Sequence, residues 1–335
     1  MPTGPLRVGV AGAGYFGRFH AQKIAAETRA VLSGISDRDP AHAAALAAEL
    51  GAPVLDWPAL LAASDAIVVA APAEAHFELA DAALAAGRHV LVEKPIAETL
   101  DQADRLAARA AAAGLVLQVG HLLRYTADHR AITTRMQRPV YLECVRIAPF
   151  KPRGTDVSVI MDLMIHDLDF VLSLVDSELE GVEAIGAPVA SPFDDIANAR
   201  LRFRNGCVAS ITASRISLRT ERKMRLFSQE GYMTVDFGAR SLMMIGRGAG
   251  TEVPGMPGAR MERISWEPQD ALAAEHDAFT ASVLDGAPVL VDAAAGRRAL
   301  AAALAVMAEM ERARGRAIRS GLIHAGGIIG AKQTA

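Results

Sequence analysis

Three groups of residues in this chain have the types and spacing to do chemistry. The first is Gly12-Ala13-Gly14-Tyr15-Phe16-Gly17, a G-x-G-x-x-G run. Glycines at those three places allow a tight turn, let backbone approach a pyrophosphate, and let a helix pack closely on a strand. The motif, with Tyr15 and Phe16 inside it, opens an expected helix whose N-terminus offers N–H groups and a partial positive charge to phosphates. Asp37 lies 20 residues beyond Gly17, where a carboxylate would meet adenosine ribose hydroxyls. It would repel a 2′-phosphate and so favours NAD over NADP. Arg38, its neighbour, could hold that phosphate and keeps NADP open. With no ligand, the same residues would make a tight turn and a helix cap.

The second group is Glu93-Lys94-Pro95, just after a short apolar run. Ligands of parallel sheets sit at the carboxyl ends of the strands. An ammonium there could polarise a substrate hydroxyl or carbonyl, or relay its proton. A surface lysine before a turn proline fits the spacing equally. The third group is Asp162 and His166, i and i+4 on an expected helix and therefore on one face. A histidine with its ordinary pKa near 6.5 can take an alcohol proton while hydride leaves the carbon. The aspartate could hold its tautomer. A plain helix-surface pair remains open at this point. No third ligand stands at a recognisable metal spacing, so no metal is expected. Lys151 and Arg153, with the run Arg215, Arg219, Arg222, Lys223 and Arg225, add local positive charge. That charge could meet an anionic substrate or could simply lie on an exposed sheet face.

The elements needed to hold these groups can be read from the apolar pattern. Strands are expected at 6–11, 31–36, 66–70, 89–92 and 115–119. Helices are expected at 18–28, 40–50, 75–86 and 99–113. The strands are continuous apolar runs, as in sheets buried on both faces. Their alternation with helices implies a doubly wound parallel sheet. Asp39 and Pro40 mark a helix start, and Gly51, Gly87 and Gly114 mark helix ends. Beyond residue 125 the texture changes. Helices are expected at 128–137 and 159–175, with a strand at 140–147 between them. Strand then follows strand from 182 to 244, with Asn205-Gly206 as a two-residue hairpin turn. Helices at 271–284 and 293–314 close the chain. The fold class is thus α/β: an N-terminal Rossmann doubly wound parallel sheet plus a C-terminal α+β domain with an open, mostly antiparallel sheet. The expected domains are 1–122 and 123–320, with the last helices able to pack back on the first. A glycine-rich tail, 321–335, is expected to be poorly ordered.

Bulk properties set the outer limits. At 335 residues the chain suits two domains. A net charge of −3 argues against nucleic acid as a partner. Its two cysteines, Cys144 and Cys207, stand in no CxxC spacing, so a reducing cytoplasm is the expected compartment. No apolar run approaches the roughly 20 residues of a membrane span, and no signal peptide is expected at the N-terminus.

Together these residues resemble the glucose–fructose oxidoreductase / inositol dehydrogenase / rhizopine catabolism family, Gfo/Idh/MocA. The motifs that carry the likeness are GAGYFGRFHA at 11–20, APAEAHFELA at 71–80, EKP at 93–95, VGHLLRY at 119–125 and DLMIHDLD at 162–169. The resemblance implies that Lys94 is the catalytic lysine, His166 the acid/base and Asp162 its partner. It implies that Glu93 lies near the nicotinamide ribose, that Lys94 also lies over the cofactor, and that Pro72 and His76 belong to the cofactor cleft. Ala71-Pro72 stands where many relatives have Thr-Pro. Thr126-Ala127 replaces their Asn-Pro, which leaves Arg124 as the substrate residue of that segment. The segments 148–169 and 195–215 are similar to a bacterial subgroup that oxidises the 3-hydroxyl of UDP-N-acetylglucosamine, ahead of an aminotransferase on the route to lipid A. Lys151 and Arg153 would suit its diphosphate. What the likeness implies is an NAD-dependent oxidoreductase for a sugar alcohol, working as a homodimer or homotetramer. A myo-inositol or aldose dehydrogenase, an NAD-dependent glycosidase and a non-catalytic dinucleotide sensor are the alternatives.

Overall fold

The computed structural model describes residues 4–151, 157–248 and 250–322. The chain divides into two compact units. One is the chain up to Thr126 with Asp270–Leu300, the other Ala127–Gln269 with the chain from Ala301 on.

In the first unit, β1 (Leu6–Ala11), α1 (Tyr15–Ala26), β2 (Ala30–Ser36) and α2 (Pro40–Leu50) lead to a short α3 (Trp57–Ala63). Then come β3 (Ala66–Val69), α4 (Ala73–Ala85), β4 (His89–Glu93), α5 (Leu100–Ala113) and β5 (Leu117–Gly120). The five strands pair in parallel in the order β2-β1-β3-β4-β5. All four residues of β3 are buried, as a strand covered on both faces must be. The order reverses beside β1, so the carboxyl ends of β1 and β3 border the crevice where such sheets take ligands.

Local chemistry explains the helix limits. Asp39 caps α2 by accepting the Ala41 N–H at 2.9 Å. Thr99 and Gln102 form a reciprocal capping box on α5. Gly51 and Gly114 end α2 and α5 at φ of 67° and 63°, where a β-carbon would be strained. The expected elements recur with ends shifted by a few residues. The exception is α3, which the apolar pattern did not announce. Asp56 caps it by accepting the Ala59 N–H, and Leu60 alone is fully buried. Seven residues with one buried side chain leave too little periodicity to read.

In the second unit, α6 (Ala127–Thr133) precedes β6 (Tyr141–Ile147). A turn at Ile160–Met164 leads into α7 (Ile165–Leu174). Eight strands follow: β7 (Leu179–Ala187), β8 (Ile196–Phe203), β9 (Val208–Ser214), β10 (Glu221–Ser228), β11 (Gly231–Asp236), β12 (Ser241–Gly246), β13 (Thr251–Glu252) and β14 (Arg260–Ser265). They join β6 in a nine-stranded sheet, ordered β13-β14-β12-β11-β10-β6-β9-β8-β7. Among the described residues, only β6 and β9 of this sheet pair in parallel. Burial alternates along β8, where Ala197, Ala199, Leu201 and Phe203 face inward, and α7 lies against β9. The β8–β9 hairpin differs from a two-residue turn. The Gly206 N–H donates to the Phe203 carbonyl at 2.9 Å, and Gly206 follows at φ 86°. This is an ordinary turn with a left-handed glycine after it, the three-residue form of the same hairpin.

Finally α8 (Ala271–Asp285) brings Phe279 into the core built on Leu6, Val8, Val10, Ile24 and Ile35 of the first unit. The last helix is α9 (Ala293–Arg319). The expected tail lies almost wholly outside the described residues. No helix among those described is long and apolar enough to cross a membrane.

One buried ion pair fastens the second unit's sheet edge. Asp195 accepts the N–H groups of Val189, Ala190 and Ser191 through Oδ2, at 2.8, 2.6 and 2.9 Å. Through Oδ1 it accepts Arg215 Nε at 2.7 Å. Burial works against its charge, but the arginine and backbone donors outweigh it and hold the carboxyl far below its ordinary value. Asp195→Ala is therefore expected to cost roughly 3–5 kcal/mol in urea unfolding, because it removes the carboxylate of a buried pair and the acceptor of three backbone N–H groups. The sign with pH follows from the lowered value: the contribution is present above the unfolded aspartate's pKa of about 4 and lost as pH falls below it. An acid limb in stability that is unchanged in the variant would contradict this.

Candidate active site

The glycine loop lies between β1 and α1, as expected. Gly12 has φ 103°, and a β-carbon there would stand 2.6 Å from the Ala70 carbonyl oxygen. At Gly17 it would stand 1.8 Å from the Gly12 oxygen. Both glycines are required by the protein's own backbone. Gly14 is not: a β-carbon there meets no protein atom within 4 Å, and its φ of −70° is ordinary. The chain keeps open space at the one glycine that a pyrophosphate would approach. Gly14 is also the N-cap of α1 and provides no side-chain cap. The residues therefore fit a dinucleotide, with the loop and helix end holding its phosphates. Tyr15 and Phe16 are exposed on the first turn, their rings edge-to-face.

Asp37 sits at the end of β2. Its Oδ2 accepts the Ala13 N–H at 2.6 Å, and its Oδ1 the Asp39 N–H at 2.7 Å. The carboxylate thus ties the glycine loop to the turn before α2, and each oxygen retains a further lone pair. Arg38 is exposed beside it. Pro72 is exposed at the start of α4. His76 is buried, with Nε2 2.8 Å from the Ala71 carbonyl and Nδ1 2.7 Å from the Pro95 carbonyl. It staples the turn after β3 to the turn after β4, and so acts on the cleft through backbone.

Glu93 ends β4, and Lys94 follows, half-buried, before a cis bond to Pro95. Glu93 Oε2 accepts the Lys94 backbone N–H at 3.1 Å, and Oε1 lies 2.9 Å from His20 Nε2. His20 Nδ1 lies 2.9 Å from His276 Nε2. Burial opposes the Glu93 charge. The His20 hydrogen bond and the charges of His20 and Lys94 outweigh it, and the carboxyl stays below its ordinary value. Beside this pair is Glu275 of α8, fully buried. His20 sits on α1 within GRFHA, but its link to Glu93 and α8 is not a local pattern. Arg124 is half-buried on the 3-10 turn Leu122–Tyr125, with its backbone N–H on the His121 carbonyl.

In the second unit, Asp162 lies on a π turn and His166 on the first turn of α7. The Ile165 N–H reaches back to the Ile160 carbonyl, the i to i+5 bond of a π-bulge, a form common at functional sites. The expected single helix over 159–175 is therefore two. Asp162 and His166 are half-buried. Asp167, next to His166, takes Arg146 of β6 in a two-pronged pair at 2.6 and 2.7 Å. Burial disfavours the Arg146 charge, yet Asp167 more than compensates, with Asp162 a further negative neighbour. Arg146 and Asp167 thus fix the helix that carries His166. They escaped sequence reading because a strand arginine and a helix aspartate 21 residues apart share no motif.

The basic run is largely neutralised. Arg215 is buried on Asp195, Arg219 pairs with Glu221, Lys223 with Glu221 and Asp236, and Arg225 with Glu143. Arg222 stacks over Phe237 at 4.6 Å. Lys151 is exposed. Arg153 lies outside the described residues.

Comparison with known proteins agrees with this geometry. A model of the oxidoreductase family with an NAD-binding Rossmann fold matches residues 6–121, and the GFO/IDH/MocA C-terminal domain matches 131–234. The chain is 44% identical over 313 residues to UDP-N-acetylglucosamine 3-dehydrogenase of Acidithiobacillus ferrooxidans, covering 91% of this chain and 97% of that one. A solved structure of that enzyme superposes with a TM-score of 0.85, over 92% of this chain and 98% of the other. A scyllo-inositol dehydrogenase structure from Lactobacillus casei, 21% identical, shares the fold at a TM-score of 0.76, over 92% and 98% of the two chains. The cofactor is NAD, and the chain belongs to the Gfo/Idh/MocA family of oxidoreductases.

Proposed function

We propose that this protein oxidises the 3-hydroxyl of a UDP-N-acetylhexosamine, UDP-N-acetylglucosamine above all. The observation that carries the reading is the 44% identity to a UDP-N-acetylglucosamine 3-dehydrogenase along nearly all of both chains, with Lys94, Asp162 and His166 present. Bound NAD supplies the hydride acceptor. His166 takes the hydroxyl proton, and Asp162 holds the imidazole in the accepting tautomer. Lys94 stabilises the negative charge that grows on the substrate oxygen. Arg124, Lys151 and Arg153 are assigned to the substrate. Lys151 is exposed and available for it, whereas Arg215, Arg219, Lys223 and Arg225 already have carboxylate partners. The glycine loop, the first turn of α1 and Asp37 hold the dinucleotide, with Arg38, Pro72, His76 and Glu93 around it.

The test follows NADH absorbance with UDP-N-acetylglucosamine beside myo-inositol and free sugars, with and without a coupled aminotransferase. Coupling removes the keto product and pulls an unfavourable oxidation forward. NADH is expected with the nucleotide sugar. Its absence even when coupled, or a faster reaction with myo-inositol, ends the substrate reading.

A further inference from the structure

Beneath Lys94, two acidic side chains share one dry space. A carboxylate oxygen of Glu93, one of Glu275 and a ring nitrogen of His20 lie within 4.8 Å of one another. Glu275 and His20 are completely buried. Two carboxylates so close and so poorly hydrated cannot both ionise. Their hydrogen bonds decide which one carries the charge. Glu93 faces two donors, His20 and the Lys94 N–H. Both Glu275 oxygens lack a hydrogen-bond partner among the described residues. The charge belongs on Glu93 and the proton on Glu275.

The tautomers follow. A carboxylate only accepts, so His20 Nε2 carries the hydrogen toward Glu93. The other ring nitrogen, Nδ1, lies 2.9 Å from His276 Nε2. Burial and the nearby His20 and Lys23 charges push His276 down to about 3, which keeps it neutral with one N–H to give. Burial and the Glu93 charge push Glu275 well above its ordinary value. On the other side of α8's first turns, Gln118 of β5 donates to the Glu275 backbone carbonyl at 3.2 Å.

We propose that Glu275 is a neutral carboxylic acid packed beside Glu93, and that with His20 it forms a buried clamp that positions Lys94 through the Glu93 carboxylate. His20 and Glu275 are positioning residues, His276 holds the far side of the His20 ring, and the clamp rests on the role given to Lys94 above. The same three atoms could instead surround a divalent cation. The two arrangements differ in what they require of His20 Nε2: a hydrogen toward Glu93 in the clamp, a bare lone pair toward a cation.

Three measurements test the clamp. Infrared spectroscopy of the whole protein at pH 7 should show the deuterium-sensitive carbonyl band of a protonated carboxylic acid, and Glu275→Gln should remove it. Elemental analysis should find no stoichiometric divalent metal. In kinetics, Glu275→Gln keeps a neutral donor and should stay within about threefold of wild type. Glu275→Leu should keep or raise Tm, since an apolar residue replaces a buried acid, while kcat falls by up to about 10²-fold as Lys94 is misplaced, with KM for NAD little changed. A band missing from active enzyme, a bound metal whose loss follows Glu275→Gln, or wild-type kcat in Glu275→Leu would each overturn the clamp. A band in protein that oxidises no nucleotide sugar would support the clamp and overturn only the substrate reading.

Discussion

Replacing Lys94 with alanine is expected to lower kcat by roughly 10²- to 10³-fold, the usual loss when one stabiliser of transition-state charge is removed. NAD affinity should fall much less than turnover, because the loop, helix end and Asp37 proposed to hold the dinucleotide are separate from the ammonium. Lys94→Arg should not restore the rate: guanidinium is planar, larger and does not give up its proton. The loss should fall on kcat and kcat/KM alike, the pattern of an interaction made only in the transition state. Initial rates with UDP-N-acetylglucosamine and NAD titrations followed by fluorescence separate these terms. Wild-type turnover in the alanine variant would remove Lys94 from the chemistry. The backbone argues that such a lysine would be well placed to act: its N–H is held by Glu93, and its residue is followed by a fixed proline turn whose carbonyl is taken by His76.

The second large effect separates two glycines of one motif. Gly17→Ala puts a methyl group 1.8 Å from the Gly12 carbonyl oxygen, and both sides of that contact are backbone. Overpacking of this kind costs roughly 3 kcal/mol or more, about 6–12 °C in Tm for a unit of this size. Gly14→Ala meets nothing and needs no unusual φ. Its Tm should match wild type. Its NAD affinity should nevertheless fall about 10-fold or more, about 1.4 kcal/mol, because the methyl group fills the space left for the pyrophosphate. Thermal melts with and without NAD distinguish the two variants. If Gly14→Ala binds NAD as wild type does, the phosphates do not pass over Gly14.

Legibility in the sequence tracked locality. The glycine loop, Asp37, the cap at Asp39, and the glycine ends of α2 and α5 were readable because each depends on neighbours within a few residues or on one strand–helix unit. The parallel pairing of the first sheet followed from alternation alone; its strand order did not. Short elements were not readable: α3 buries one side chain, and the π turn at Ile160–Met164 differs from an α-helix by one hydrogen-bond step, which residue types do not encode. Charge was misleading taken alone. The run from Arg215 to Arg225 reads as a basic patch, yet its members are answered by Asp195, Glu221, Asp236 and Glu143 or laid over a ring.

By itself, the sequence determined a dinucleotide loop with an acid at its proper distance, the two-part architecture, and the family motifs around Lys94, Asp162 and His166. Those are patterns of spacing, and spacing survives in one dimension. Only the tertiary structure decided that Asp37 spends its bonds on the loop, that His76 is a staple, that Arg146 braces Asp167, and that His20 stands between Glu93 and His276, residues 73 and 256 positions away from it. The reason is physical. A buried charge needs a partner wherever the fold brings one, and chain distance does not limit which residue the fold brings.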